Sequence, residues 1–294
     1  YYNKYCAKYE KEKQKWWTWI NAVERKQNWA ASECAGAVQQ FQEYMRDSIA
    51  YFGSTRTEFT YAAEQKLIAI LQEATQDPMH AFEIITTSTD LDAVQKEQRD
   101  LAAMVDPTDR RILEHVRKYP WLVVGLFNEE DAIGFVRNLL SRTQQHELEA
   151  GLEEAGRKRE RALKQRDDLL RNLPEDAEYL SRFLAEQSVR RMDIKAYWAG
   201  SYYLSRHLWN RIGDILGVDV GTIMRYILPS EVVALLEAPE QAKDVVIERK
   251  DAYAIIYDGQ EIYIQNGTDA EREFKNRVAA KPDVDVWQGQ AASR

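Results

Sequence analysis

The amino-acid sequence predicts a mainly α fold, a multi-helix bundle with a long helical hairpin and a small C-terminal β-hairpin. Glycine and proline are scarce, with 13 and 7 in 294 residues, and both residue types tend to interrupt helices. Apolar side chains recur at steps of three or four over most of the chain, which is the period of an amphipathic helix. Residues 253–264 instead alternate with the two-residue period of a strand.

The N-terminal part predicts helices that follow one another closely. Residues 2–52 are predicted to form two helices, or one long helix with a break. Gly53 ends this segment, since glycine readily adopts the left-handed conformation that closes a helix. A further helix is predicted over residues 57–75. Asp77 and Pro78 then begin another, with the aspartate as N-cap and the proline in the first turn.

The next segments carry clear helix start and stop signals. A polar connection over residues 85–90 precedes a short helix. Asp106 is predicted to cap the following helix and Pro107 to occupy its first position, and Pro120 marks its end. Asn128 is predicted to cap the helix after that.

A long helical hairpin is predicted in the middle of the chain. Residues 146–172 are highly charged but keep a narrow apolar stripe, which predicts a long helix with one packed face and the rest in solvent. Pro174 ends this helix. A second long helix is predicted over residues 175–216, with a bend near Gly200, and two long helices joined at a proline predict an antiparallel pair.

The pattern changes towards the C-terminus. Ser230 is predicted to cap a short helix, and residues 245–267 are predicted to be rich in β structure. Asp258 and Gly259 lie between two alternating runs, and this pair favours the tight turn of a β-hairpin because glycine tolerates a positive φ. A final helix is predicted to begin at Thr268, whose spacing to an acid three residues later fits a capping box.

Composition excludes several classes of protein. The net charge of −8 disfavours a protein built to grip nucleic acid. Cys6 and Cys34 are the only cysteines, so neither a disulfide framework nor a cysteine-rich zinc site is expected. No apolar run reaches the roughly 18 residues of a membrane helix and no signal peptide is evident, so the predicted location is cytoplasmic, away from membranes.

No catalytic or metal-binding motif is present. The sequence lacks the phosphate-binding glycine loops, the zinc-protease motif and the nucleophile-elbow motif, and no catalytic residue is predicted. The histidines lie on separate predicted helices with no second ligand at metal-binding spacing, so no metal site is predicted. They are His80, His115, His146 and His207.

One helix combines arginines with aromatic side chains and is the predicted ligand-binding helix. Arginine forks suit phosphate or carboxylate groups, and aromatic rings close over planar ligands. The predicted substrate-binding residues are Arg190, Arg191, Arg206, Tyr202 and Trp198. The alternative is a structural helix whose arginines pair with an acidic stripe over residues 147–160.

A tryptophan-rich segment over residues 15–29 allows two interpretations. Indole rings among basic residues can provide a stacking platform for bases or another planar ligand. The same rings also fill helix–helix contacts. Because acids are interleaved and the net charge is −8, a core role is favoured for Trp16, Trp17, Trp19 and Trp29.

Four segments carry a family resemblance: "LEHVRKYPWL" (113–122), "ILGVDVGTIMRYILPSEVVALLEA" (215–238), "IER" (247–249) and "WQGQAAS" (287–293). Their order resembles that in phosphoenolpyruvate-utilising phosphotransferases, of the PEP synthase and rifampin phosphotransferase type. The last segment is similar to the strand that opens the swivelling phosphohistidine domain of this family. Within the second segment, the matching positions are Tyr226, Leu228, Ser230, Glu231, Leu235 and Leu236.

The resemblance implies that successive parts of the chain form domains with different roles. Residues 1–240 would form a helical domain that binds an acceptor or docks the mobile domain, and residues 241–281 a β-hairpin plus helix that acts as a subdomain or linker. Residues 282–294 would be the truncated or disordered start of the swivelling phosphohistidine domain. The T-x-H phosphoryl carrier is expected beyond residue 294, so the covered helices are not expected to be catalytic alone.

The resemblance also implies cofactors and partners. The implied cofactors are ATP or phosphoenolpyruvate with Mg²⁺, and the implied partners are the swivelling domain in cis, an ATP-grasp domain or protein, and a small-molecule acceptor. A non-catalytic helical protein-interaction module, with the charged hairpin as its partner surface, is the alternative. A nucleic-acid-binding protein that uses the tryptophan-rich start is a third possibility, which the net charge disfavours.

Overall fold

The computed structural model describes residues 2–257 and 259–279. The predicted fold class is confirmed, since helices make up most of the described chain and a two-stranded antiparallel sheet lies near its C-terminal end. The helices up to the end of the hairpin are α1 (Tyr2–Arg25), α2 (Ala31–Gly53), α3 (Thr57–Ala74), α4 (Pro78–Ile85), α5 (Ala93–Ala102), α6 (Asp109–Lys118), α7 (Glu129–Arg142), α8 (Gln145–Leu170) and α9 (Glu175–Leu204). The later elements are α10 (Arg206–Leu216), α11 (Val220–Tyr226), α12 (Pro229–Glu237), α13 (Gln241–Arg249), β1 (Tyr253–Tyr257), β2 (Ile262–Asn266) and α14 (Gly267–Ala279).

Two predicted helix starts are confirmed by their capping bonds. Oδ1 of Asp77 accepts a hydrogen bond from the backbone N–H of His80 at 3.0 Å, and Pro78 begins α4. Oδ1 of Asn128 accepts from the backbone N–H of Asp131 at 2.7 Å at the start of α7. These bonds satisfy backbone donors that the first turn of a helix leaves unpaired.

Two other predicted caps are wrong. Thr108 caps α6 instead of Asp106, because the Thr108 hydroxyl accepts a backbone N–H of the first turn at 3.4 Å. Asp106 adopts a positive φ of 47°, which places it in the turn before the helix. Helix α12 begins at Pro229, so Ser230 lies within its first turn and is not its cap.

The predicted β structure over residues 245–249 is also wrong, because this segment belongs to α13. Ala242 and Arg249 are both buried on this helix, and a seven-residue spacing brings two side chains to the same helix face. The predicted hairpin itself is confirmed, with Ile255 opposite Ile264 in the β1–β2 register. Asp258 of the predicted turn lies outside the described residues.

The second long helix is interrupted at Ser205, five residues after Gly200, near which a bend was predicted. The Ser205 hydroxyl donates to the carbonyl oxygen of Ser201 at 2.7 Å, a backward bond that tends to bend helices. Gly200 has another role, because a Cβ placed there would lie 2.6 Å from Cγ of Pro120. The 3-10 turn Pro120–Val123 thus packs directly against the backbone of α9.

The two arms of the hairpin do not pack along their full length. Helix α8 packs mainly on α4 and α5, whereas α9 contacts α1, α2, α3 and the 3-10 turn. One apolar cluster joins the start of α9 to α3 and α4 through Leu67, Leu71, Ala81, Ile85, Ala177, Leu180 and Leu184. A second cluster joins α6, α7 and the 3-10 turn to the end of α9 through Met104, Ile112, Val116, Val123, Ala132, Val136 and Tyr203. The two arms are therefore in apolar contact near their joint, where Leu169 and Leu170 of α8 pack against the first cluster.

The described chain divides into two compact units after Asn210. This division falls earlier than the predicted boundary at residue 240. In the second unit, the Arg249 guanidinium forms a two-point ion pair with Glu231, with both N–O distances at 2.6 Å, and also donates to the Tyr226 carbonyl oxygen at 2.7 Å. None of the helices among the described residues combines the length and apolar character needed to span a membrane.

Candidate functional site

Arg206 is a buried structural residue. Its side chain is 1% exposed, and Nη2 lies 2.8 Å from Oε1 of Glu129 and 3.5 Å from Oε1 of Glu24. Its guanidinium also lies over the Tyr203 ring, 4.6 Å from the centroid. The hypothesis that this arginine pairs with the acidic stripe 147–160 is wrong, because its carboxylate partners lie on α1 and α7. The contacts join three helices around the guanidinium.

The predicted residues on α9 do not form one site with Arg206. The part of α9 between Arg190 and Leu204 alone spans roughly 21 Å, at a rise of about 1.5 Å per residue. The Arg191 guanidinium lies 5.7 Å from the centroid of the Phe52 ring. The rings of Trp198 and Tyr202 contact phenylalanines of α2, at centroid distances of 6.5 and 5.3 Å. Of the five residues, Arg190 is the one that lines a cavity described below.

The opening between the hairpin arms forms a cavity of about 500 Å³, which we call the arginine cavity. Its walls come from α1, the connection after α4, α8 and α9. Three arginines line it, Arg166 from α8 and Arg182 and Arg190 from α9. Arg190 Nη1 donates to Sγ of Cys6 at 2.9 Å. Guanidinium groups on two facing helices make this cavity suited to a phosphate or carboxylate.

Two polar groups mark the inner end of the arginine cavity. Tyr9 is 3% exposed, and its buried hydroxyl has no hydrogen-bond partner within the described residues. Burial raises the pKa of this hydroxyl, and the charges of Glu10 and Asp193 raise it further. Burial also raises the pKa of the Asp193 carboxyl, although Lys13 and Lys96 act in the opposite direction. Burial is the main cause of both pKa shifts, because it disfavours the charged form of each group.

A second cavity of about 410 Å³, which we call the aromatic cavity, lies on the other side of Asp193. Glu10 and Asp193 line both cavities. The aromatic walls are Trp17, Tyr119, Trp121 and Tyr197, and lysines from α1, α5 and α6 complete the lining. The Tyr197 hydroxyl donates to the Lys13 carbonyl oxygen at 2.6 Å. Flat rings beside ammonium groups suit a planar ligand that carries negative charge.

The tryptophan-rich segment divides between core and surface. Trp16 is buried, and its ring meets that of Tyr197 edge-on at 4.3 Å and stacks on Tyr44 at 5.6 Å. The predicted core role is therefore confirmed for Trp16. Trp17 is 37% exposed and stacks on Tyr197 at 5.6 Å. This exposed indole is the member of the segment that lines the aromatic cavity.

A larger cleft of about 780 Å³ lies between α4, α5 and α8. Both of its arginines are occupied, and Arg159 donates to the carbonyl oxygens of Ser88 and Thr89. Arg161 contacts Glu154 on its own helix at 3.3 Å. The Arg159 bonds attach α8 to the connection after α4, so we assign this cleft a structural role.

The remaining buried polar groups and possible metal ligands do not form a second candidate site among the described residues. Nε2 of His115 lies 3.0 Å from Oε1 of Glu97, and both side chains are buried. No group of three or more His, Cys, Asp or Glu side chains in residues 2–257 and 259–279 is arranged to hold a metal ion. Two charged residues from the family-like segments, Glu231 and Arg249, bond to each other in the second unit.

The sequence pattern missed most of the cavity. Arg166 lies on the helix whose charged faces the sequence pattern assigns to solvent, and Arg182, Tyr9 and Asp193 carry no motif. The segment "WQGQAAS" falls outside the described residues. Comparison with protein-family models, curated proteins and solved structures gave no match. The candidate site therefore rests on its own geometry.

Proposed function

We propose that this chain is the helical acceptor-binding region of a phosphoenolpyruvate-utilising phosphotransferase-like protein, and that the acceptor binds in the arginine cavity. One observation carries the location. Arg166, Arg182 and Arg190 line a single cavity whose inner end holds the unpartnered hydroxyl of Tyr9 and the carboxylate of Asp193. The family assignment rests on the resemblance of the four sequence segments.

The arrangement supports distinct roles for the arginines and for the pair formed by Tyr9 and Asp193. A phosphoryl group in transfer carries negative charge on its oxygens, and arginines stabilise that charge without changing protonation state. Arg182 is exposed at the cavity and suits this role. Tyr9 and Asp193 would hold and orient the acceptor. The residues that we assign to binding are thus Arg166, Arg182, Arg190, Tyr9 and Asp193.

The remaining chemistry lies outside these helices in this proposal. ATP or phosphoenolpyruvate supplies the phosphoryl group, with Mg²⁺, at an ATP-grasp domain or protein. The P–O bond of the donor breaks as a P–N bond forms on the carrier histidine of the swivelling domain, which then delivers the phosphoryl group to the acceptor. The described residues provide no metal-binding cluster, and no step here is assigned to the metal. We place the activity in the cytoplasm.

Labelling of the natural full-length protein tests this proposal. Incubation with Mg²⁺ and ³²P-labelled ATP or phosphoenolpyruvate should give an acid-labile, base-stable phosphohistidine. A small-molecule fraction from cells should then remove the label from the protein. Arg182→Ala should slow this removal by about tenfold, the effect of losing a charged hydrogen bond to a phosphate, and should leave the labelling step unchanged.

A matched control separates charge from position. Arg110 is exposed and contacts Glu114 on its own helix at 3.0 Å, and it lines neither cavity. Arg110→Ala should therefore behave as the unaltered protein in both steps. Absence of any phosphohistidine would overturn the family assignment. Equal effects of the two arginine variants would overturn the location of the acceptor.

A non-catalytic interaction module is the second candidate, favoured by the surface of α8. This helix has 26 residues and none of them is buried. Its outer face carries Glu153 and Glu154, which both pair with Arg157. Reversing these three charges should abolish partner capture by chemical crosslinking if the chain is such a module. The same variant should leave phosphohistidine formation unchanged under the first proposal.

A further inference from the structure

The inner end of the arginine cavity has unused hydrogen-bonding capacity. The Tyr9 hydroxyl is buried and unpartnered in the described part of the chain. A buried hydroxyl without a partner costs free energy relative to one in water. Arg190 and Lys13 lie over the Tyr9 ring, with distances to the centroid of 5.8 and 5.7 Å, and neither satisfies the hydroxyl. Tyr9 lines the arginine cavity, so its hydroxyl has hydrogen-bonding capacity left for a ligand there.

The Asp193 carboxylate is the second available group. No hydrogen bond or ion pair to it forms among residues 2–257 and 259–279. Lys13 is close enough to lower the pKa of Asp193, but its ammonium group forms an ion pair with Glu10 at 3.9 Å. A half-buried carboxylate without a partner is costly. A cation that enters the cavity would remove this cost.

The charge of the cavity also favours a cation. Among the described residues, its lining contains six carboxylate side chains against three arginines. Glu10 and Asp90 belong to this excess, and both are exposed at the cavity. A metal ion of the calcium or magnesium type needs several oxygen ligands at once, and no such cluster is formed within the described residues. An ammonium group needs only one carboxylate and one or two neutral acceptors.

We propose that Asp193 and Tyr9 form an amine-recognition site, and that the ligand of the arginine cavity is an organic molecule with a primary ammonium group. The ammonium donates to the Asp193 carboxylate and to the Tyr9 hydroxyl oxygen. An anionic group elsewhere on the ligand, or the incoming phosphoryl group, faces the arginines. The inference deepens the proposed function, and it rests on that function for the amine's role as acceptor. Binding of the amine needs no phosphoryl donor.

Calorimetric titration of the full chain with 1,4-diaminobutane and with 1,4-butanediol tests the site. The two probes match in length and differ in charge. We expect the diamine to bind and the diol to give no measurable heat. Asp193→Asn should weaken diamine binding by about tenfold to hundredfold, as expected for loss of a hydrogen bond to a charged group. Tyr9→Phe should weaken it by about threefold to tenfold, as for a neutral partner.

Asp109→Asn is the matched control, because Asp109 is exposed, pairs with Arg137 and lines neither cavity. It changes net charge by the same amount as Asp193→Asn and should bind the diamine normally. Absence of diamine binding, equal binding of the diol, or full binding by Asp193→Asn would each overturn the proposal. If Asp193→Asn fails to fold, Glu10→Gln is tested in its place, and it should also weaken diamine binding. Phosphohistidine labelling is measured separately, so failure of amine recognition and failure of the proposed function are distinguishable.

Discussion

Replacement of Arg206 by methionine separates a structural role from a ligand-binding role. Nη2 of Arg206 lies 2.8 Å from Glu129 and 3.5 Å from Glu24, and methionine fills much of the same space without the charge. Removal of one partner of a buried ion pair costs about 3–5 kcal/mol. Arg117 also contacts both glutamates, and the Glu129 side chain is 42% exposed. We therefore expect a smaller loss of unfolding free energy, about 2–3 kcal/mol.

Urea denaturation followed by near-ultraviolet circular dichroism measures this loss, because that signal reports aromatic packing. Arg117→Met is the matched control, since Arg117 is 51% exposed and contacts the same two glutamates. Its effect should stay below about 1 kcal/mol, as for exposed ion pairs. Diamine binding by the folded fraction of Arg206→Met should equal that of the unaltered protein. A stable Arg206→Met variant that has lost ligand binding would refute the structural role.

Three further substitutions and one control give expected outcomes on stability. Gly200→Ala should lower the melting temperature, because its Cβ would lie 2.6 Å from Cγ of Pro120 and overpacking costs about 1–3 kcal/mol. Gly134→Ala is its control, since no atom lies within 4 Å of a Cβ there, and removal of a helical glycine should stabilise the protein by about 0.5–1 kcal/mol. Thr108→Ala should cost about 1 kcal/mol in urea denaturation through loss of the α6 cap. Asp193→Asn should raise the free energy of unfolding near pH 7, because the unaltered protein buries an ionised carboxylate there. This gain should fade as the pH falls from the raised pKa of the folded carboxyl towards the ordinary aspartate value, since the buried group is then protonated.

Each of these outcomes has a clear contrary result. Equal melting temperatures for the two glycine variants would mean that α9 can move away from the 3-10 turn without cost. If Thr108→Ala leaves the free energy of unfolding unchanged, Thr108 does not stabilise α6 as its cap. A pH-independent difference between Asp193→Asn and the unaltered protein would show that the carboxyl does not titrate with a raised pKa.

Local signals in the sequence predicted the helices well because helix formation depends on neighbouring residues. The caps at Asp77 and Asn128 follow from short side chains placed before apolar periodic segments. The cap at Thr108 was missed because Asp106 and Pro107 also fit the pattern, and the choice depends on the backbone turn at Asp106. The backbone conformation thus decides which of several neighbouring residues caps a helix, and the sequence pattern does not specify that conformation.

The candidate site was much harder to predict, because it depends on which helices face each other. Arg190 was predicted from its place on a helix rich in arginine and aromatic residues. Its partners in the cavity come from α1 and α8, far away in sequence, and Tyr9 and Asp193 look like ordinary helix residues. Arg206 lies in the same kind of local sequence as Arg190, but it is buried and forms ion pairs with glutamates of two other helices. Pattern alone does not separate a binding arginine from a structural one.

The close approach of Gly200 to Pro120 has a consequence for binding energetics. It fixes the segment that carries Tyr119 and Trp121, so this wall of the aromatic cavity is held by backbone contact and does not depend on a ligand for its position. A ligand that enters there loses little affinity to ordering of the protein, because the conformational entropy of this wall is already lost on folding. Selectivity at this wall should therefore depend on the shape of the ligand.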